Sequence, residues 1–294
     1  MKRSVAFSLV ALGIVGLGLC CGRVVGPTVR AGMRNAAWGT GEGIAHAEGQ
    51  SASYTQTLAC TQIKGGLASV VGQQTINSRG LWCLTGDLIW DSGHTGPPIT
   101  FSSGADGATF DLNGYSITCP GGCFEAYATT AIQMNGGAHI LIENGGIQGF
   151  STGIWNGTSG GGATYVKIKD MLISGGSGGF YGIILTDNAA HIDVDHVTLT
   201  DFGISGGGEG IYSDGSGGFI SIHDCTFNLP AASDDILIDD NSNIGSNSGH
   251  DLIRDNKFLG GGYAIYSFVT TLKYINNVQW TTWQYAGGSN ISNF

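Results

Sequence analysis

The segment His191-Ile-Asp-Val-Asp-His-Val-Thr-Leu199 decides the fold that this sequence predicts. Apolar and polar residues alternate around Val194, which is typical of a β-strand with one buried side, and another apolar residue follows five places later. Similar segments recur, centred on Leu88, Leu112, Ile142, Ile168, Val194, Ile222, Ile253 and Ile275. These anchors are 24, 30, 26, 26, 28, 31 and 22 residues apart, a period that indicates repeats stacked against their neighbours. We therefore expect a solenoid built of strands.

The repeat also predicts how the strands pair. Strands that recur once in each turn of about 25 residues pair with their equivalents one turn later, which gives parallel sheets. Parallel crossovers are right-handed in almost all proteins. The sequence therefore predicts an all-β fold: a single-stranded, right-handed parallel β-helix of about eight turns.

A polar residue follows the first strand of each repeat. Asn, Asp and His tolerate left-handed backbone angles better than other non-glycine residues, so these positions are predicted to form tight bends. The predicted bend residues are Asn144, Asp170, His196, Asp224, Asp255 and Asn277.

The composition fits such a coil and limits its partners. The 294 residues include 52 Gly, only 5 Pro and 41% hydrophobic residues, as expected for many tight turns around a large apolar interior. The formal net charge is −10, and phosphate contacts need clustered Lys and Arg, so we expect no nucleic-acid partner. A polyanionic sugar would need a bridging cation or a local basic patch.

The N-terminus has the layout of an export signal. Lys2 and Arg3 precede an apolar stretch from Val5 to Leu19, so residues 1–22 are predicted to be a signal peptide. A retained membrane anchor is one alternative, since the stretch is barely long enough to span a bilayer, and lipidation at Cys20 is another. We expect a secreted or cell-surface protein, with no membrane association beyond such an anchor.

Beyond the signal, residues 23–59 are predicted to form a linker and residues 60–294 the β-helix domain with a cap at each end. Disulfides suit an oxidising compartment, in agreement with export. The predictions for the cysteines are a small disulfide loop between Cys119 and Cys123, a bond between Cys60 and Cys83 across the first turn, and a buried free thiol at Cys225.

The chain resembles the right-handed parallel β-helix proteins of the pectate lyase-like superfamily. The resemblance is carried by Ala-Thr-Phe-Asp-Leu-Asn-Gly-Tyr-Ser-Ile at 108–117, by Ile-Glu-Asn-Gly-Gly-Ile at 142–147 and by the recurring strand units as far as Trp280. It covers roughly two-thirds of the chain and implies an extracellular polysaccharide partner lying across several turns. It does not select one activity, since the superfamily includes lyases, hydrolases, epimerases and non-catalytic surface proteins.

The alternation predicts which side chains point outward on the first strand of each turn. Those with useful chemistry are Tyr165, Lys167, Lys169, Asp193, Asp195, His223 and Arg254. Adjacent turns lie ~4.8 Å apart, so Lys167 is expected beside Asp193 and Lys169 beside Asp195. His223 is expected on the turn after Asp195, and Arg254 on the turn after that.

These residue types suit lyase or epimerase chemistry on a uronate-containing polymer. Removing the proton next to a uronate carboxylate needs a base, for which His223 and Arg254 are the candidates. It also needs positive charge near the carboxylate, from Lys167 or Lys169 or from Ca²⁺ bound by Asp193 and Asp195. Tyr165 is a candidate proton donor.

Two alternatives remain. The same charges could be ordinary cross-strand ion pairs on a non-catalytic solenoid used for adhesion or glycan binding. Separately, the segment 233–240 resembles the paired aspartates of polygalacturonases but departs from them at Gly262-Tyr-Ala264, which lacks their histidine. Its aspartates are therefore predicted to end strands and shape a loop, and Glu209 and Asp214 to lie in glycine-rich loops.

Overall fold

The computed structural model describes residues 59–124, 130–157, 161–186, 189–203, 207–214, 218–231, 233–239, 251–260, 262–267, 272–279, 285–286 and 289–292. The predicted signal peptide, nearly all of the predicted linker and most of the C-terminal cap lie outside these residues. Within the described ranges, no helix is long and apolar enough to cross a membrane. The one helix there, α1, is a single turn, Ala68–Val71.

The strands wind into a coil with three faces, and each strand pairs in parallel with its equivalent one turn later. Face 1 consists of β1 (Thr61–Ile63), β4 (Gly80–Leu84), β7 (Ala108–Asp111), the first parts of β10 (Ala138–Phe150), β12 (Thr164–Gly179) and β14 (Ala190–Phe202), then β16 (Ile220–His223), β19 (Leu252–Arg254), β22 (Lys273–Ile275) and β25 (Ser289–Ser292).

Face 2 follows face 1 within each turn. It consists of β2 (Gly66–Leu67), β5 (Leu88–Ile89), β8 (Ser116–Cys123), the second parts of β10, β12 and β14, then β17 (Thr226–Asn228), β20 (Lys257–Phe258) and β23 (Val278–Gln279). Face 3 is a separate sheet of β3 (Gln74–Ile76), β6 (Ile99–Phe101), β9 (Thr130–Met134), β11 (Thr152–Asn156), β13 (Tyr181–Thr186), β15 (Glu209–Asp214), β18 (Asp234–Asp239), β21 (Tyr263–Ser267) and β24 (Tyr285–Ala286). The predicted all-β parallel solenoid is confirmed.

The corner between faces 1 and 2 is made by the predicted bend residues. Left-handed φ angles occur at Asn144 (62°), Asp170 (53°), His196 (52°), Asp224 (54°) and Asp255 (56°). The sixth prediction was wrong by one residue, because the left-handed angle falls on Asn276 (φ 54°) and Asn277 is buried.

The predicted anchors at the two ends of the coil also depart from the observed register. The five anchors from Ile142 to Ile253 pair in register and are fully buried. Ile253, however, pairs with Tyr274 rather than Ile275, and Ile142 pairs with Phe110 rather than Leu112. Leu88 lies on face 2 opposite Ile117. The anchors predicted at 88, 112 and 275 were therefore placed wrongly in the register of face 1. Burial decides the register, since a one-residue slip would turn the inward side chains outward.

The inward position just after the bend is Gly or apolar through the middle of the coil and becomes polar near its C-terminal end. The first inward position after each bend is Gly145, Met171, Val197, Cys225, Asn256 and Asn277 in successive turns. Asn256 Oδ1 accepts a hydrogen bond from the backbone N–H of Cys225 (2.9 Å), and Asn277 Oδ1 accepts one from the backbone N–H of Asn256 (3.1 Å). The Asn256 side-chain amide also donates to the backbone carbonyl of Ile222 (3.0 Å). These two amides join three consecutive turns.

All three predictions for the cysteines are confirmed. Cys60 bonds to Cys83 across the first described turn, and Cys119 bonds to Cys123 within β8. Cys225 is a buried free thiol, and burial raises its pKa to about 12, so it is not a reactive group at neutral pH.

We expect Asn256→Ala to destabilise the coil by roughly 3 kcal/mol, because it leaves the buried N–H of Cys225 without an acceptor and removes the amide contacts to two turns. Urea denaturation measures this loss. The control is Asn228→Ala, on the exposed side of face 2, where a change within roughly 0.5 kcal/mol is expected. Equal losses in the two variants would show that the amide ladder does not stabilise the coil.

Candidate functional site

The outer side of face 1 brings the predicted site residues together. Lys167 lies opposite Asp193, and Lys169 lies opposite Asp195. Asp195 lies opposite His223, which lies opposite Arg254 on the following turn. All of the predicted neighbour relations on this face are confirmed, and the catalytic and metal-binding roles of the residues remain predictions.

The side chains form a connected network in which each lysine contacts carboxylates. Lys167 Nζ lies 2.8 Å from Asp193 Oδ2 and 2.9 Å from Asp195 Oδ2, so it bridges two acids on one strand. Lys169 does not reach Asp195 but turns back to Glu143 Oε2 at 2.9 Å. These hydrogen bonds raise the pKa of both lysines, Lys167 through Asp193 and Asp195 and Lys169 through Glu143. Both lysines are therefore cations and not bases.

His223 lies within this network among three carboxylates. Its Nε2 is 2.9 Å from Asp193 Oδ1, and its Nδ1 is 2.9 Å from Asp224 Oδ2 and 3.3 Å from Asp195 Oδ1. The side chain is only 12% exposed. Both ring nitrogens are thus engaged by protein groups, which leaves little access for a substrate proton.

Arg254 is more open but also paired. Its Nη1 is 2.7 Å from Asp255 Oδ2 and 3.9 Å from Asp224 Oδ2. A guanidinium does not lose its proton in proteins under ordinary conditions, so this geometry suits Arg254 to binding an anion better than to removing a proton.

His196 is the residue that sequence reasoning missed. It was predicted only as a bend residue, yet the bend places its ring on the outer surface, 63% exposed, with Nδ1 hydrogen-bonded to Asp195 Oδ1. That hydrogen bond raises the pKa of His196. The available signal was the pair Asp195-His196, an outward carboxylate directly followed by a bend histidine.

Asp195 is the centre of the network. Burial is the largest single influence on its pKa and raises it, but hydrogen bonds from Lys167 and His196 and the nearby positive charge outweigh burial and lower it overall. The carboxylate therefore stays ionised and can orient an imidazole. An imidazole held at Nδ1 by a carboxylate, with Nε2 directed away from it, is the arrangement of a general base.

The structure also groups residues whose ligand atoms could hold a metal ion. The ligand atoms of Asp193, Asp195 and His223 lie within 4.8 Å of one another, and so do those of Asp195, His196 and Asp224. Both predicted metal ligands thus belong to a possible site. The predicted ion, Ca²⁺, binds six to eight oxygen ligands, whereas each of these groups includes an imidazole nitrogen.

Tyr165 has a different setting from the one predicted. With His139, His191 and Phe219 it has a left-handed φ and forms a corner of the coil, where the four rings stack along successive turns. The centroid of the Tyr165 ring lies 4.7 Å from that of His139 and 4.3 Å from that of His191. Both faces of the Tyr165 ring are covered, and its role as a proton donor remains a prediction.

A second group of carboxyls lies on face 3. Glu209 and Asp234 each begin a strand and pair in register, so the predictions that Glu209 lies in a loop and that Asp234 ends a strand were wrong. Burial, followed by the charge of Asp234, raises the pKa of Glu209 to about 7, and Glu209 Oε2 is buried with no hydrogen-bond partner in the described part of the chain. Burial also raises the pKa of Asp234.

Asp235 lies beside this pair but belongs to the core. The inward positions of neighbouring turns hold Gly210 and Ala264, and a Cβ at Gly210 would meet the side chains of Phe227 and Leu229. Asp235 is fully buried, and neither of its oxygens has a hydrogen-bond partner among the described residues. Burial, followed by the charge of Asp234, raises its pKa to about 9, so this carboxyl is uncharged at neutral pH.

Comparisons with known proteins add little to this geometry. No model of a known protein family matches the chain, and no curated protein matches it. Among solved structures, the crystal structure of an alginate lyase from Paenibacillus sp. strain FPU-7 aligns with a TM-score of 0.42 and 12% identity, over 79% of this chain and 99% of that one. The function of this parallel β-solenoid therefore has to be inferred from its own residues.

We expect Asp235→Ala to stabilise the protein by roughly 2–4 kcal/mol at pH 7, because unfolding of the natural chain lets a buried acid ionise. Because the pKa of Asp235 is raised in the folded state, its ionisation on unfolding costs no stability below about pH 4. The free energy of unfolding then falls as pH rises from there towards about 9. Urea denaturation at pH 4, 7 and 9 should show a gain that grows with pH. Asp214→Ala, at a partly exposed position on the same face, is the control. A gain in the free energy of unfolding that is independent of pH, or a loss at pH 7, would contradict the conclusion that Asp235 is a buried, uncharged acid.

Proposed function

We propose that the protein acts on a uronate-containing extracellular polysaccharide by removing the proton next to the sugar carboxylate, the step that lyases and epimerases share. The observation that carries this proposal is the exposed His196 held by Asp195, next to the cation Lys167. A base, the group that orients it and a positive charge then lie within one network. The two disulfides support a location outside the cytoplasm.

His196 is the base that this geometry favours over the predicted candidates. Its Nε2 lies on the side of the ring opposite the Asp195 hydrogen bond, and the side chain is 63% exposed, against 12% for His223. A general base is most effective when its pKa lies near the pH at which the enzyme works. The hydrogen bond to Asp195 raises the pKa of His196, which makes its imidazole a stronger base. Asp195 acts as the positioning residue, and the partly exposed Arg254 is placed to bind a carboxylate of the polymer on a neighbouring turn.

The charge of the face limits how a polyuronate can bind. Lys167 and Lys169 are already paired with carboxylates, so they neutralise the face more than they attract an anion. A divalent cation held by Asp193 and Asp195 would add to the positive charge of Lys167. Ca²⁺ is the ion that the sequence predicts for this position.

A second candidate function rests on Glu209 and Asp234. Hydrolysis of a glycosidic bond needs two carboxyls, one as acid and one as base. Glu209, with a pKa of about 7, and Asp234, one turn away, are such a pair. The buried, unpartnered Glu209 Oε2 is the specific observation in its favour. If neither site turns over substrate, the protein is a non-catalytic solenoid that binds glycans.

The test separates the two sites. The full chain is incubated with pectate and with alginate, and three signals are followed. They are the ultraviolet absorbance of unsaturated uronate, the exchange of the C5 proton in D₂O by proton NMR, and the formation of new reducing ends. We expect His196→Gln to lower elimination or exchange by roughly 10²–10⁴-fold, the usual contribution of a general base. His139→Gln, in the aromatic stack, is the matched control and should not change the rate. Unchanged turnover in His196→Gln would overturn the assignment.

The pH profile checks the same assignment independently. The base acts in its neutral form, so the rate should rise with pH through the pKa of His196, which lies above the ordinary histidine value. Asp195→Asn removes the largest cause of that raised pKa, so the rising limb should move to lower pH and the maximal rate should fall. A limb that does not move would mean that another group titrates.

Glu209→Gln is the corresponding test for hydrolysis. If the face 3 carboxyls are catalytic, release of reducing ends without unsaturated product should fall by at least about 10²-fold in Glu209→Gln and stay unchanged in His196→Gln. The opposite pattern would remove the hydrolase candidate.

A further inference from the structure

A groove lies on the outer side of face 2, across the left-handed bend from the charged network of face 1. It consists of two adjoining cavities of about 450 Å³ and about 290 Å³ that share Gln148. Cavities of roughly 300–1,000 Å³ are the usual size of small-ligand sites. The groove crosses β8, β10, β12 and β14 and is therefore roughly 14 Å long, since adjacent strands lie ~4.8 Å apart. This length suits a ligand made of several linked units.

The alternation of face 2 builds the floor of the groove. The inward residues Ile147, Ile173 and Leu199 pair in register and are buried, so the residues on either side of each point outward. Gly146 has no side chain and leaves a gap between the outward residues of the turns before and after it. The polar outward residues that line the groove are Ser116, Thr118, Gln148, Ser174 and Thr200.

The wall of the larger cavity is the loop closed by the Cys119–Cys123 disulfide, together with Phe124. The ring of Phe124 packs against Gly122 and Gly178, because a Cβ at either position would collide with it. Phe124 nevertheless remains partly exposed. A disulfide and two glycines thus hold a partly exposed aromatic ring at the edge of the groove.

The groove is nearly uncharged, unlike face 1. Among the described residues that line it, Asp201 is the only charged one. Ser174 Oγ donates to Asp201 Oδ2 at 3.3 Å, and Thr200 Oγ1 donates to the same oxygen. A carboxylate offers about four acceptor positions, so Asp201 can also accept hydrogen bonds from the hydroxyls of a ligand. The same carboxylate repels an anionic ligand.

We propose that this groove binds a short neutral oligosaccharide. The hydroxyl and amide groups of the floor can both donate to sugar hydroxyls and accept from them. The ring of Phe124 offers an apolar surface to the C–H groups of a sugar ring. The inference does not rest on the proposed activity, because no residue of the groove belongs to the network on face 1.

The test is a ¹⁵N–¹H NMR titration of the full chain with the neutral hexasaccharides of cellulose, β-1,3-glucan and β-1,4-mannan. Hexagalacturonate is the anionic comparison. At least one neutral hexasaccharide should shift the side-chain amide resonances of Gln148 and bind the groove more tightly than hexagalacturonate does.

Gln148→Ala and Phe124→Ala should each weaken this binding roughly threefold to tenfold, the usual loss for one hydrogen bond or one aromatic contact. In these variants the backbone resonances of Gly149 and Gly176, which also line the groove, report the binding. Asn228→Ala, on the outer side of face 2 but outside the cavities, is the control and should not change it. Circular dichroism confirms that each variant is folded.

Asp201→Asn tests the charge of the groove separately. Asparagine tolerates the left-handed φ of 62° at this position, so the backbone is kept. Loss of the carboxylate should reduce the difference in affinity between the neutral hexasaccharide and hexagalacturonate.

Three results would overturn the inference: no shift with any neutral hexasaccharide, equally tight binding of hexagalacturonate, or binding unchanged in both Gln148→Ala and Phe124→Ala. Groove resonances that shift with protein concentration alone would also overturn it, because a second copy of the chain would then cover the groove.

His196→Gln separates this inference from the proposed function, since it should lose turnover and keep binding in the groove. Binding without turnover of any uronate polymer would support the groove and remove the proposed activity. Turnover by a chain whose groove binds no neutral hexasaccharide would support the activity and remove the groove as a binding site.

Discussion

The left-handed bend between faces 1 and 2 is the constraint on which the rest of the molecule depends. A non-glycine residue in this conformation costs on the order of 1–2 kcal/mol, and six consecutive turns, from Asn144 to Asn276, accept that cost at the same position. Hydrogen bonds to the preceding turn offset part of it, as where the Asn144 side-chain amide donates to Asp111 Oδ1 at 3.1 Å. Because every turn bends at the same place, its inward and outward side chains align with those of the next turn.

This alignment creates the candidate site. Lys167, Asp193 and His223 are separated by 26 and 30 residues in sequence, yet their side chains contact because they lie on successive turns. The bend itself adds His196, which turns the ring outward beside Asp195. The left-handed bend thus gives both the regular coil and the exposed imidazole. A second corner with left-handed backbone angles likewise aligns side chains of successive turns, the stacked rings of His139, Tyr165, His191 and Phe219.

Sequence reasoning was sufficient for the parts of the fold that are periodic. The anchors from Ile142 to Ile253 and their bends could be predicted because each is followed by Asn, Asp or His at a fixed distance. At the C-terminal end two asparagines stand together, and only burial shows that Asn276 bends while Asn277 enters the core.

The same limit applies to the site. Alternation along the strands predicted which outward residues are neighbours. It did not predict which neighbours form ion pairs: Lys169 pairs with Glu143 on the preceding turn and not with Asp195 on the next. The raised pKa values of Glu209 and Asp235 come from desolvation, which depends on packing from all three faces. No pattern within a single strand contains that information.

The central claim is that a uronate polymer binds on face 1 beside the Asp195 and His196 pair. Its most direct test is ¹⁵N–¹H NMR of the histidine side chains during titration with a short oligouronate. The account predicts that His196 carries its proton on Nδ1 when neutral and that its resonances shift on binding, while those of His94 in the turn after β5 do not. Resonances of His196 that stay unchanged at saturating oligouronate would contradict it.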